Sequence, residues 1–200
     1  MGRPRQRTPE LRDKILDVAL DLLAVDGPAG VTTRAVASAA GTSAPAIYEL
    51  FGDKSGLVRA VFFDGFRRLR DRFDELPPPQ GTPADLLAVV DAFRDFTREH
   101  PRLFEVMYTK PFDIYAPTPE ERSLGDATRS AFVDRAESAV QAGRLRGDPV
   151  DIAHAVLGLV VGLATQETAG FLGTTGEDCD RRWRGAAESL LRGYGVDSNE

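Results

Sequence analysis

The chain has 200 residues, 42% of them hydrophobic, which suits one or two compact units with a buried core and excludes a wholly disordered chain. Its single cysteine, Cys179, excludes an intramolecular disulfide framework and a cysteine-rich zinc site, and it suits a reducing cytoplasm. Taken over the whole chain, a net charge of −6 argues against a nucleic-acid partner.

That average hides a division. Residues 1–70 hold 11 basic and 8 acidic side chains, whereas residues 71–200 hold 14 and 23, so a head of net +3 precedes a body of net −9. Of the 16 aromatics only Tyr48 and Phe51 precede residue 60. The basic start, Met1 to Arg7, is followed by no apolar run and predicts no secretory signal. The uncharged stretch Ala153 to Ala164 is shorter than the roughly 20 residues a bilayer requires. A cytoplasmic protein with no membrane partner is expected.

In chain order, Thr8 and Pro9 open a first helix, whose Leu11, Ile15, Val18, Ala19, Leu22 and Leu23 share one face and which Gly27 ends. Thr32 caps a short second helix with Val36, Ala37 and Ala40 inward, closed by Gly41. Ser43 caps a third, with Pro45 in its first turn and Ile47 and Phe51 inward. Asp53 caps a fourth, carrying Leu57, Val58, Val61, Phe62 and Phe66 towards Leu76. The run Pro77-Pro78-Pro79-Gln80-Gly81 interrupts the chain. Helices are then predicted over 82–99, 101–108 and about 119–143. A nearly all-apolar helix opens at Asp148-Pro149, and a last one opens at Asp178 or Asp180 and runs to Tyr194. No alternating strand pattern occurs, and the fold class is all-α: an N-terminal three-helix domain of residues 1–56 and a larger helical domain of residues 57–200.

Residues 32–57 carry the chemistry. Two short helices joined by a glycine-containing turn form a helix-turn-helix, in which Ala37 and Ala40 permit close crossing. The second helix offers a slim N-terminal end, Thr42, Ser43, Ala44, Pro45 and Ala46, that suits the DNA major groove. Thr32, Thr33, Tyr48 and Lys54 are placed to meet phosphates, and Arg34 is the side chain best suited to a base edge. The string closely resembles the N-terminal domain of TetR/AcrR-type transcriptional regulators, with Thr32, Val36, Ala37, Ala40, Gly41, Ser43, Ile47, Tyr48, Phe51, Lys54 and Leu57 in register. Thr42, Ala35 and Pro45 depart from the pattern.

The resemblance implies that the body binds a small-molecule effector and forms a homodimer, and that the chain regulates transcription, as a repressor released from a palindromic double-stranded DNA operator. Phe62, Phe66, Phe93, Phe96, Phe104, Met107, Tyr108, Phe112 and Phe132 could line an apolar cavity, with His154 and Gln166 as polar contacts. The same aromatics also suit an ordinary core. Leu159 and Leu163 on the apolar helix, with Trp183, Leu190, Leu191 and Tyr194 on the last, are the expected dimer interface. No cofactor, metal site or catalytic constellation is expected. The alternative is a helical small-molecule carrier or enzyme whose head is only scaffold.

Overall fold

The computed structural model describes residues 8–108 and 118–196. The described residues form helices α1 (Pro9–Gly30), α2 (Thr33–Ala40), α3 (Ala44–Phe51), α4 (Lys54–Asp74), α5 (Pro83–Glu99), α6 (Pro101–Tyr108), α7 (Pro119–Gln141), α8 (Pro149–Thr168) and α9 (Gly176–Gly193). The β pairing among them is a single antiparallel bridge between Leu145 and Gly195. The all-α fold class stands.

Most boundaries follow from capping chemistry. The hydroxyls of Thr8, Thr32 and Thr118 each accept from a backbone N–H three residues on, satisfying donors that a helix start leaves open. Asp148 Oδ1 accepts from Val150 N at 2.7 Å ahead of Pro149. The last helix begins earlier than its acids suggest. Thr175 is its cap, receiving Asp178 N at 3.1 Å, which makes Asp178 a first-turn acid favoured by the helix dipole. Gly27 breaks the regular course of α1, as expected, and one further turn reaches Gly30.

The chain divides into two compact units. The first runs to Gly65 and takes in α6 from Arg102 onward; the second holds Phe66–Pro101 and the chain from α7 on. The border between these units falls inside α4, and α6 from Arg102 groups with the first unit. In the first unit Ile15, Leu16, Ala19 and Leu23 of α1 join Val36, Ala37, Ala40, Ile47, Leu57 and Val61 in a core where each is at most 5% exposed. In the second, α5, α7, α8 and α9 pack on one another. Phe93, Phe96 and Phe132 are fully buried there, and Phe73 meets Phe132 edge-on at 5.5 Å between ring centroids.

The α8 helix is 20 residues long, and by length and composition it could cross a membrane, which the uncharged stretch alone did not predict. It packs against α5, α7 and α9, with Ile152, Ala153, Val156, Val160, Leu163 and Ala164 buried.

Candidate nucleic-acid interface

The helix-turn-helix is built by α2 and α3, which pack on each other, with α1 packed on α2. Gly41 adopts φ 68°, a left-handed conformation that costs most side chains energy, and its N–H and that of Thr42 return to the last carbonyls of α2. Ser43 occupies the cap position of α3, yet its hydroxyl forms no hydrogen bond and is buried. The reason is local: Pro45 has no N–H to offer, and Ala46 N donates to the Ser43 carbonyl at 2.9 Å. At the far end, Asp53 Oδ1 accepts from Gly56 N at 2.7 Å and starts α4 at Lys54.

Of the predicted DNA-facing residues, Thr32, Arg34, Pro45, Tyr48 and Lys54 are exposed, and Thr33, Thr42, Ser43 and Ala44 are half-buried. Ala46 is 6% exposed: it packs inside the head and offers DNA no surface. The Tyr48 and Thr33 hydroxyls lie 3.4 Å apart, a loose contact that brings α2 and α3 hydroxyls to one spot. The basic N-terminal tail lies outside the described residues.

Two cations on α1 join this surface without having been singled out. The Arg12 guanidinium lies 5.8 Å from the centroid of the Phe51 ring. Exposed Lys14 brings its Nζ to the α2–α3 turn, 3.8 Å from where a Cβ on Gly41 would stand. Their sequence signal is that neither belongs to the apolar face of α1.

The predicted effector residues are divided between the two units. Phe62, Phe104, Met107 and Tyr108 belong to the first unit, and Phe66, Phe93, Phe96, Phe132, His154 and Gln166 to the second. Phe112 lies outside the described residues. Burial pushes the Tyr108 hydroxyl above its ordinary pKa. His154 and Gln166 are exposed on α8, and His154 Nδ1 pairs with its own helix at Val150 O, 2.8 Å away, so neither is directed into an apolar interior. The second unit has a groove of about 290 Å³ lined by Thr97, Arg98, Pro101, Glu167 and Thr168, which carries none of the predicted aromatics.

Three predicted interface residues are occupied by the chain's own core. Trp183 is 2% exposed, Leu191 4% and Leu163 8%. Trp183 donates from Nε1 to Glu167 at 2.5 Å, and the Arg94 guanidinium stands 5.4 Å from its ring centroid. Leu159, Leu190 and Tyr194 are half-buried. On α8 Val150 stays open at its start, and further along so do small or polar residues, Gly158, Gly162, Thr165 and Gln166 among them; Phe171 beyond its end is 83% exposed.

Comparison with known proteins bears on the same segments. Residues 15–61 match the family model described as bacterial regulatory proteins, tetR family, and residues 86–190 match that of the tetracyclin repressor-like C-terminal domain. The chain belongs to the TetR family. Among curated relatives, the HTH-type transcriptional regulator Rv1816 of Mycobacterium tuberculosis is 25% identical over 151 residues, covering 73% of this chain and 64% of that protein. The regulator BetI of Cronobacter sakazakii is 31% identical over 124 residues, 60% of this chain and 59% of that one. The chain therefore spans a little under two thirds of the length of these relatives. A solved protein from Rhodococcus sp. RHA1 superposes with a TM-score of 0.79 at 25% identity, over 97% of this chain and 100% of the other. A regulatory protein of the tetR family from Rhodococcus gives 0.73 at 20% identity, over 96% and 100%, and shares the TetR fold.

Proposed function

We propose that this TetR-family chain is a transcriptional regulator that binds double-stranded DNA through α2 and α3. The observation that carries the reading is the open N-terminal end of α3, bare of bulky groups, with the Thr33–Tyr48 hydroxyls beside it and Lys54 in the first turn of α4. Backbone N–H groups and hydroxyls position phosphates, and a slim helix end enters the major groove. Arg34, exposed in the first turn of α2, is the side chain for base readout. Ala46 is not part of that surface.

The regulator acts as a homodimer, because a palindrome is read by two recognition helices set about 34–36 Å apart. Leu159, Leu190 and Tyr194, with the open small residues of α8, support the contact; the buried Trp183, Leu163 and Leu191 hold the helices that present it. A small molecule bound by the body favours a spacing that fits DNA less well, so the chain is a repressor released by its effector. Action at DNA places it in the cytoplasm of a bacterial cell.

Binding of the full chain to the DNA upstream of its own gene, measured by fluorescence anisotropy over a salt series, tests the reading. Affinity should fall steeply with salt and exceed that for unrelated DNA by about a thousandfold. Equal affinity for both, or none at low salt, would favour the carrier alternative.

A further inference from the structure

Two ammonium groups of the head stand at opposite ends of α3, and among the described residues neither has a partner. Lys54 follows α3, in the first turn of α4. Lys14 belongs to α1, yet its Nζ reaches the turn before α3, 3.8 Å from where a Cβ on Gly41 would stand. Glu10 and Asp17 lie one turn away on α1, at the spacing where helix ion pairs form, and Lys14 pairs with neither. Its backbone is well anchored. The next two residues, Ile15 and Leu16, are 0% and 2% exposed in the core of the head. Two residues earlier, the Arg12 guanidinium rests 5.8 Å from the centroid of Phe51, the last residue of α3. An exposed, unpaired cation is thus carried on a fixed helix beside the turn that leads into the slim end of α3.

The α3 helix has 8 residues and at about 1.5 Å each spans roughly 12 Å, close to the roughly 12 Å width of the B-DNA major groove. Cations at its two ends are therefore far enough apart to meet both strands that border the groove. A lysine ammonium is a compact point charge, suited to a phosphate rather than to the fork of a base edge. The geometry points to Lys14 as a phosphate contact of the DNA-bound head, engaging the strand across the major groove from the one that Lys54 engages. The inference rests on the reading of the chain as a DNA-binding regulator. Lys14 stands one residue before the segment that matches the family model, residues 15–61, so the contact belongs to this chain's own sequence and not to the shared pattern. It adds affinity and fixes the seat of α3, and it carries no sequence information.

The test uses the full chain, its own upstream DNA and an unrelated duplex of equal length, in anisotropy titrations over a salt series. Lys14→Ala should weaken binding to both duplexes alike, by about three- to tenfold, and lower the salt slope by about one per protomer, with Tm unchanged. Lys14→Arg keeps the charge and should bind within about twofold of the original. Should Lys14→Ala melt early, Lys14→Gln makes the same comparison. An unchanged salt slope, a loss confined to the upstream duplex, or a Lys14→Arg protein as weak as Lys14→Ala overturns the inference. Ethylation interference locates the phosphate. One ethylated position that weakens the original chain should lose its effect in Lys14→Ala, on the strand opposite the position that Lys54→Ala silences; both positions on one strand would overturn the inference. If the unaltered chain binds neither duplex, the regulator reading fails and takes this inference with it. If it binds and Lys14→Ala matches it, only this inference fails.

Discussion

Arg94 offers the sharpest stability test, because one guanidinium holds three helices of the second unit. Its Nε and Nη2 donate to the two carboxylate oxygens of Glu167 on α8 at 3.1 and 2.9 Å, and Nη1 lies 2.8 Å from Asp180 Oδ1 on α9. The Arg94 and Glu167 side chains are 12% and 19% exposed, whereas Asp180 is 63% exposed. Removing one member of a buried pair costs about 3–5 kcal/mol, because the other charge is stranded, while an exposed pair contributes roughly 0–1 kcal/mol. Glu167 keeps the Trp183 Nε1 hydrogen bond and some contact with water, which lowers the cost of Arg94→Met to about 2–3 kcal/mol. For a chain of this size that corresponds to a fall in Tm of roughly 4–12 °C. A melt followed by circular dichroism gives the shift, and Glu167→Gln completes a double-mutant cycle. A drop below about 2 °C, or a coupling energy below about 0.5 kcal/mol, would show that the pair contributes no more than a surface contact.

Lys54→Ala and Tyr48→Phe should each weaken DNA binding evenly across sequences, and Lys54→Ala should lower the salt slope by about one. A sequence-selective loss in anisotropy titrations against altered operators would contradict their assignment to phosphate. Gly41→Val, at φ 68°, should destabilise the chain by about 1–2 kcal/mol through backbone strain, and chemical denaturation reads this directly. Glu99 is held below its usual pKa by hydrogen bonds from Arg72, so its contribution is present above the unfolded pKa and is lost as pH falls through the folded one. The acid limb of stability below about pH 5 should therefore be shallower in Glu99→Gln, and parallel limbs would refute the link.

Helix existence was legible because its signals are local. Thr8, Thr32, Asp53, Thr82 and Asp148 precede apolar residues at helical spacing, and each begins a helix where expected. Ala46 was misassigned because its smallness suits both a groove-facing surface and a close helix crossing, and only packing separates the two. Trp183, among the charged residues that open the last helix, resembles an interface anchor until Arg94 and Glu167, 89 and 16 residues away, are seen to cover it. His154 and Gln166 were chosen for their chemistry alone, and α8 turns both outward.

The sequence by itself determined the all-α class, the helix-turn-helix at residues 32–51 and the split of charge between head and body, since each depends on residues close in the chain. The net charge of −6 belongs to neither part. Only the tertiary structure decided which side of each helix is consumed by the chain's own core and that α6 from Arg102 groups with the head. Those outcomes depend on pairs such as Asp21–Arg102 and Arg94–Glu167, which are 81 and 73 residues apart and which no local pattern brings together.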